Sequence, residues 1–157
     1  MKISCMAILA ALLFSGCAAG VAPSLQMSRD TKIYLFDLSG DDLIGSSVVA
    51  RAVSRRIVTN TAERLENDLI MVTNDLTGDA ANLKYDIRTI SGIPSAGFGS
   101  PERNRIEIRY RVTLEDVKGK KLFAYEDKQA GGDIDGVCDR IADKVSGMVL
   151  RYYVDRH

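Results

Sequence analysis

Between Arg105 and Glu115 the chain alternates without a fault. Ile106, Ile108, Tyr110, Val112 and Leu114 share one side, and Glu107, Arg109, Arg111, Thr113 and Glu115 share the other. An extended strand sends successive side chains to opposite faces, so this segment has one face for a core and one for water. A slip of one residue would exchange the two faces completely, and the register is therefore fixed by the pattern itself. Any fold built on this strand must bring a second layer onto the Ile106–Leu114 side.

The neighbouring sequence supplies more of the sheet. Asp116-Val117-Lys118-Gly119-Lys120 reads as a tight hairpin loop with a glycine near its end, and Lys121 to Asp127 as the return strand. Upstream, Leu83 to Ile90 alternates with Leu83, Tyr85, Ile87 and Thr89 on one side. The segment KIYLFDL, Lys32 to Leu38, has Ile33 and Leu35 on one face and Tyr34, Phe36 and Leu38 on the other, which suits an interior strand. Ile70 to Thr73 is long enough for one short strand more.

Two helices can provide the covering layer. From about Ser46 to Leu69, Val49, Val53, Ile57, Thr61, Leu65 and Leu69 recur every four residues with Ala52 beside them, and charged residues fill much of the remainder. Val58-Thr59-Asn60-Thr61 is a poor helix former, which leaves room for a break there. From about Asp133 to Tyr153, Ile134, Val137, Cys138, Ile141, Val145, Met148, Val149 and Tyr152 make an apolar stripe, with Asp133 placed to cap the first turn. The order β-α-β-β-β-β-α predicts an α+β fold. It is a two-layer sandwich, with a mostly antiparallel sheet of about four to five strands and two helices on one face.

The N-terminus reads as an address rather than as part of that domain. Lys2 is followed by an unbroken apolar run of nine residues, Met6 to Phe14, and then by small residues. Leu13-Phe14-Ser15-Gly16-Cys17 resembles the bacterial lipobox. The resemblance implies cleavage before Cys17, a thioether-linked diacylglycerol on its sulfur, acylation of its new amino group with a fatty acid such as palmitate, and no spanning helix. Two or more chains hold a protein stably at a bilayer where one does so only marginally. Ala18, rather than Asp, follows the cysteine, which implies the periplasmic face of the outer membrane. The competing reading is an uncleaved N-terminal membrane helix, since no charge occurs between Ile3 and Met27. On the lipobox reading the chain divides into a signal peptide (1–16), a lipidated N-terminus and tether (17–30) and a periplasmic domain (31–157).

The element order, the opening strand KIYLFDL and the hairpin RIEIRYRVTLEDVKGKKLFAYEDK resemble the small α/β domains of envelope lipoproteins related to the N-terminal domain of TolB and to peptidoglycan-synthase activators of the LpoB type. The resemblance spans roughly residues 31–153 and implies a protein that binds partners and is not an enzyme.

The residues themselves carry little chemistry. Of three cysteines, Cys5 lies in the leader, Cys17 is the lipidation site and Cys138 falls on the apolar stripe as a packed thiol. Gly40 to Ser47 has the spacing of a phosphate loop without its lysine. Asp37, Asp41 and Asp42 are carboxylates of the type that holds a hard cation, but they also suit a turn before a helix N-terminus. Glu63 and Glu66 lie on a mixed-charge helix face. The only histidine is His157, the last residue. No catalytic residue, metal site or cofactor is therefore expected. With 21 basic and 21 acidic side chains, no nucleic-acid partner is expected either.

Two stretches are candidates for partner contact. Ser91 to Arg103 has three glycines and two prolines around Ile93 and Phe98, apolar side chains suited to a partner's pocket, though Phe98 could equally fold back on the sheet. If both helices cover the opposite face, Tyr34, Phe36 and Leu38 form an exposed patch. The expected role is a binding, scaffold or accessory subunit for another envelope protein, in envelope assembly, secretion or peptidoglycan synthesis. The alternatives are a periplasmic small-ligand binder or enzyme, or an inhibitor of a host or rival hydrolase.

Overall fold

The computed structural model describes residues 26–39, 48–75, 78–92 and 105–153. Along the chain these form β1 (Lys32–Asp37), α1 (Val48–Asn67), β2 (Val72–Thr73), β3 (Ala80–Ser91), β4 (Ile106–Glu115), β5 (Lys121–Gly131) and α2 (Ile134–Leu150). The strands make one mixed sheet in the order β2-β1-β3-β4-β5. β1 is parallel to both of its neighbours, while β3, β4 and β5 form a long antiparallel meander. The order of elements and the two-layer α+β fold are as the sequence predicts, and β1 is an interior strand.

The alternation of β4 becomes burial. Ile106, Ile108, Tyr110, Val112 and Leu114 are all in the core, joined from β3 by Leu83, Tyr85 and Ile87 and from β1 by Ile33. Val53, Ile57 and Leu65 of α1 and Val137, Cys138, Ile141, Val145 and Val149 of α2 complete one continuous cluster with them. Both helices thus lie on one face. The other face carries paired charges, among them Lys84–Glu115 at 2.7 Å and Arg111–Glu126 at 2.8 Å.

Asp133 caps α2 as predicted, its carboxylate accepting from the Gly136 N–H at 2.7 Å. α1 runs unbroken through Val58–Thr61, where Thr61 is fully buried and its hydroxyl donates to the Ile57 carbonyl at 2.8 Å. The two helices are stitched together at the surface by Arg56–Asp135, Asn60–Asp139 and Arg64–Asp143.

Four expectations are corrected. The row Val53, Ile57, Thr61 and Leu65 is buried as predicted, but Ala52 beside it and Leu69 after it are not. Ala52 is exposed, and Leu69 lies beyond the end of α1 and points into solvent. In β3, Ile87 pairs with Tyr110 but Thr89 with Arg109, so Arg88 is an extra residue. This bulge reverses the alternation, leaving Thr89 exposed and Ile90 buried. β5 continues past Asp127 to Gly131, paired with β4 throughout. Met27, expected in the tether, packs with the domain instead. The Met27 N–H donates to the Tyr152 carbonyl at 2.6 Å, and the Met27 side chain belongs to the core.

Candidate functional site

Of the residues singled out for chemistry, Asp37 and Cys138 are committed to structure. The Asp37 carboxylate accepts from the Ser54 hydroxyl at 2.6 Å and from the Ser39 N–H at 2.9 Å. Ser39 in turn accepts through Oγ from the Ile87 N–H at 3.1 Å, beside the β3 bulge. Asp37 therefore ties the end of β1 to α1 and β3. Asp41 and Asp42, its proposed co-ligands, lie outside the described residues, as do Gly40 to Ser47. Among the described residues no group of three or more acidic, Cys or His side chains is placed to hold a metal ion. Cys138 is fully buried, and desolvation pushes its thiol up to about 11, the state of a packed side chain rather than a nucleophile. Glu63 and Glu66 are both exposed on α1. Cys17, Ile93, Phe98 and His157 lie outside the described residues.

A polar cluster missed by the pattern of residues sits between β4, β5 and α2. Lys144 Nζ donates to Asp127 Oδ2 at 2.8 Å and lies 5.0 Å from the centre of the Tyr125 ring. Partial burial opposes ionisation of Asp127. Hydrogen bonds from Lys144, the Lys128 backbone, Gln129 and Tyr125 outweigh it and bring the carboxyl down to about 2. The buried Tyr110, directly opposite Asp127 in the ladder, has a hydroxyl with no hydrogen-bond partner among the described residues. Burial, and then the Asp127 charge, drive that phenol well above its ordinary range. The sole sequence signal for this cluster was Asp127 at an inward-facing β5 position.

The remaining candidates are surfaces. The Tyr34 and Phe36 rings meet edge-on, 4.3 Å apart, on the sheet face away from both helices. Both are half-buried, and Leu38 is exposed. β5 is a long edge strand, flanked on its helix side by half-buried Phe123, Tyr125 and Tyr152. The end of the sheet where β1 begins carries the most exposed large apolar side chain described, Leu69 at 82%. It stands between two open hollows of about 490 and 500 Å³. Among the described residues no helix is long and apolar enough to cross a membrane.

No family model matches the chain, and no curated protein matches it in sequence. Solved structures do match in fold. A point variant of the PelC dodecamer from Paraburkholderia phytofirmans aligns at TM-score 0.54 and 11% identity, covering 77% of this chain and 90% of that one. A structure described as an uncharacterized protein aligns at TM-score 0.51 and 13% identity, over 80% and 94% of the two chains. A minor lipoprotein from Acinetobacter baumannii aligns over 76% and 92% at 16% identity, but its TM-score of 0.45 is too low to bear on this chain. These likenesses establish a shared fold.

Proposed function

We propose that this chain is a lipid-anchored lipoprotein of the bacterial outer membrane, with a periplasmic domain that works by binding another envelope protein and not as an enzyme. The observation that carries the reading is the sequence Leu13-Phe14-Ser15-Gly16-Cys17 at the end of a nine-residue apolar run. The core already includes Met27, ten residues after Cys17. The reactive side chains described above support the non-enzymatic part, because Cys138 is packed and Asp37 is tied down by two donors. The test is intact mass and membrane fractionation of wild type against Cys17→Ala. Cleavage before Cys17 with added acyl chains, lost in the variant, is the expected result. A mass retaining residues 1–16 would make the chain an N-terminally anchored protein instead.

Self-assembly is a second reading of the same domain. The PelC structure that shares its fold is a dodecamer, and β5 leaves an eleven-residue strand edge open for pairing. Light scattering on the purified lipoprotein in detergent separates the two, since a monomeric mass removes this one.

A further inference from the structure

α1 stops in a Schellman turn. The Ile70 N–H donates to the Leu65 carbonyl and the Leu69 N–H to the Glu66 carbonyl, both at 2.9 Å, while Leu65 and Ile70 are both buried. The residue that makes the turn must adopt left-handed backbone angles, and glycine usually takes that place. Here it is Leu69, at φ 62°, the sole non-glycine described with positive φ. A leucine there is strained by about 1–2 kcal/mol and exposes its side chain to water as well. Folding explains neither cost, and strain held at the surface points to function.

Leu69 is not alone. The Met71 carbonyl accepts from the Ile33 N–H at 2.9 Å, which places exposed Met71 at the start of β1. The register Lys32↔Ala80 and Asn82↔Glu115 brings the β4–β5 hairpin, with exposed Val117, to the same end of the sheet. At ordinary strand spacing the apolar groups span roughly 15–20 Å. Exposed Lys118, Lys120 and Lys121 flank Val117, and Arg151 and Lys32 flank Leu69, with Asp30, Glu66, Asp68, Asp79, Glu115 and Asp116 the carboxylates at the same end. Leu38 and Val48 are exposed at the opposite end. What distinguishes the two ends is the chain itself. Residues 18–25 connect Cys17 to Gln26, and nine steps of extended chain reach at most about 30 Å. Met27 is fixed beside Tyr153, and Arg29 donates to the Asp68 carbonyl at 2.8 Å, one residue from Leu69. The anchor therefore leaves the domain at the end that carries Leu69.

We infer that this end, with Leu69, Met71 and Val117 as its apolar contacts, rests on the surface of the bilayer that holds Cys17. The inference depends on the lipidation reading. The bilayer accounts for what a folded domain alone does not: apolar side chains kept in water, cations beside them and a short chain to a lipid. An interfacial contact needs only a few such side chains, because the acyl chains already supply the affinity.

The test uses the acylated protein in vesicles of phosphatidylethanolamine and phosphatidylglycerol. Leu69→Cys, Val117→Cys and Leu38→Cys each receive an environment-sensitive fluorophore, and doxyl-labelled lipid is the quencher. Strong quenching at 69 and 117, at least several-fold above that at 38, is expected. Equal or absent quenching at all three positions, in protein that co-floats with the vesicles, overturns the inference. Shielding of position 69 from aqueous iodide without lipid quenching also overturns it, and means that a protein covers this end. The mass of the same preparation distinguishes failure of the anchor from failure of the contact. If no acyl chain is present, the variants are held on nickel-chelating lipid through an N-terminal hexahistidine tag, and the same quenching pattern decides.

Discussion

At single positions, two side chains do work that composition would not reveal. Leu69 occupies a turn position where its Cβ is unwelcome and its side chain is in water. Replacing it removes strain without removing buried contacts. Leu69→Gly is expected to raise the unfolding free energy by about 1 kcal/mol, read by urea denaturation, because glycine is the better left-handed cap. The same variant should lower vesicle contact, so stability and contact move in opposite directions, which a purely structural leucine would not produce. Asp127 behaves differently. Its folded-state carboxyl is depressed to about 2, so its contribution is present above the ordinary carboxylate range and is lost as pH falls through the folded value. Asp127→Asn should therefore destabilise the domain at pH 7, by about 1 kcal/mol for a half-exposed pair, and the difference from wild type should shrink between about pH 4 and pH 2. Thermal melts of both proteins across that range are the measurement, and a constant difference would remove the ion pair as the cause.

Among the elements, legibility followed the strength of the period. β4 was plain because every position obeys the alternation, and α2 because Asp133 caps a clean apolar stripe. β3 was read correctly as far as Ile87 and wrongly beyond, because a bulge has no sequence mark here: Arg88 is neither glycine nor proline. The end of α1 was missed for a related reason, since a helix stop is normally announced by glycine and Leu69 continues the apolar row instead. Met27 has no mark in the sequence, because one isolated bridge to Tyr153 leaves no period. The polar cluster at Asp127 and Lys144 joins residues seventeen apart on different elements, which periodicity does not pair. The open end of the β3–β4 hairpin shows how tightly the strands are drawn. Gly92 has φ 77°, and a Cβ there would lie 2.2 Å from the Arg105 carbonyl oxygen. Gly92→Ala should cost about 2 kcal/mol or more, since both the backbone angle and the facing strand resist it. Chemical denaturation gives the number, and an unchanged midpoint would mean that the strands separate at no cost. Residues 93–104, with Ile93 and Phe98, leave from this pinch, at the opposite end of the sheet from Leu69.

For the whole molecule, that polarity is the main consequence of the fold. The chain enters beside Tyr153, at the end where α1 and α2 finish and where Leu69, Met71 and Val117 gather. The β3–β4 loop leaves from the other end. A domain resting on the Leu69 end would present Gly92 and the Asp37 end of β1 away from the bilayer, with the edge of β5 running up its side. On the lipidation reading, the eight residues between Cys17 and Gln26 would set more than attachment, because a short connection would keep Leu69 at a high local concentration over the lipid surface. Inserting twenty glycine and serine residues between positions 25 and 26 lengthens the connection from eight to twenty-eight. Local concentration falls roughly as the −3/2 power of linker length, which is about six-fold here. Quenching of the fluorophore at Leu69→Cys by doxyl lipid should fall with it, while the protein stays entirely in the membrane fraction. The outcome separates two designs. A contact strong enough to stand alone would be insensitive to the insertion, whereas one that depends on the anchor would lose most of its occupancy. Two or three apolar side chains and a few lysines supply modest affinity, so the second is the expected result, with anchor and contact acting as one bivalent attachment.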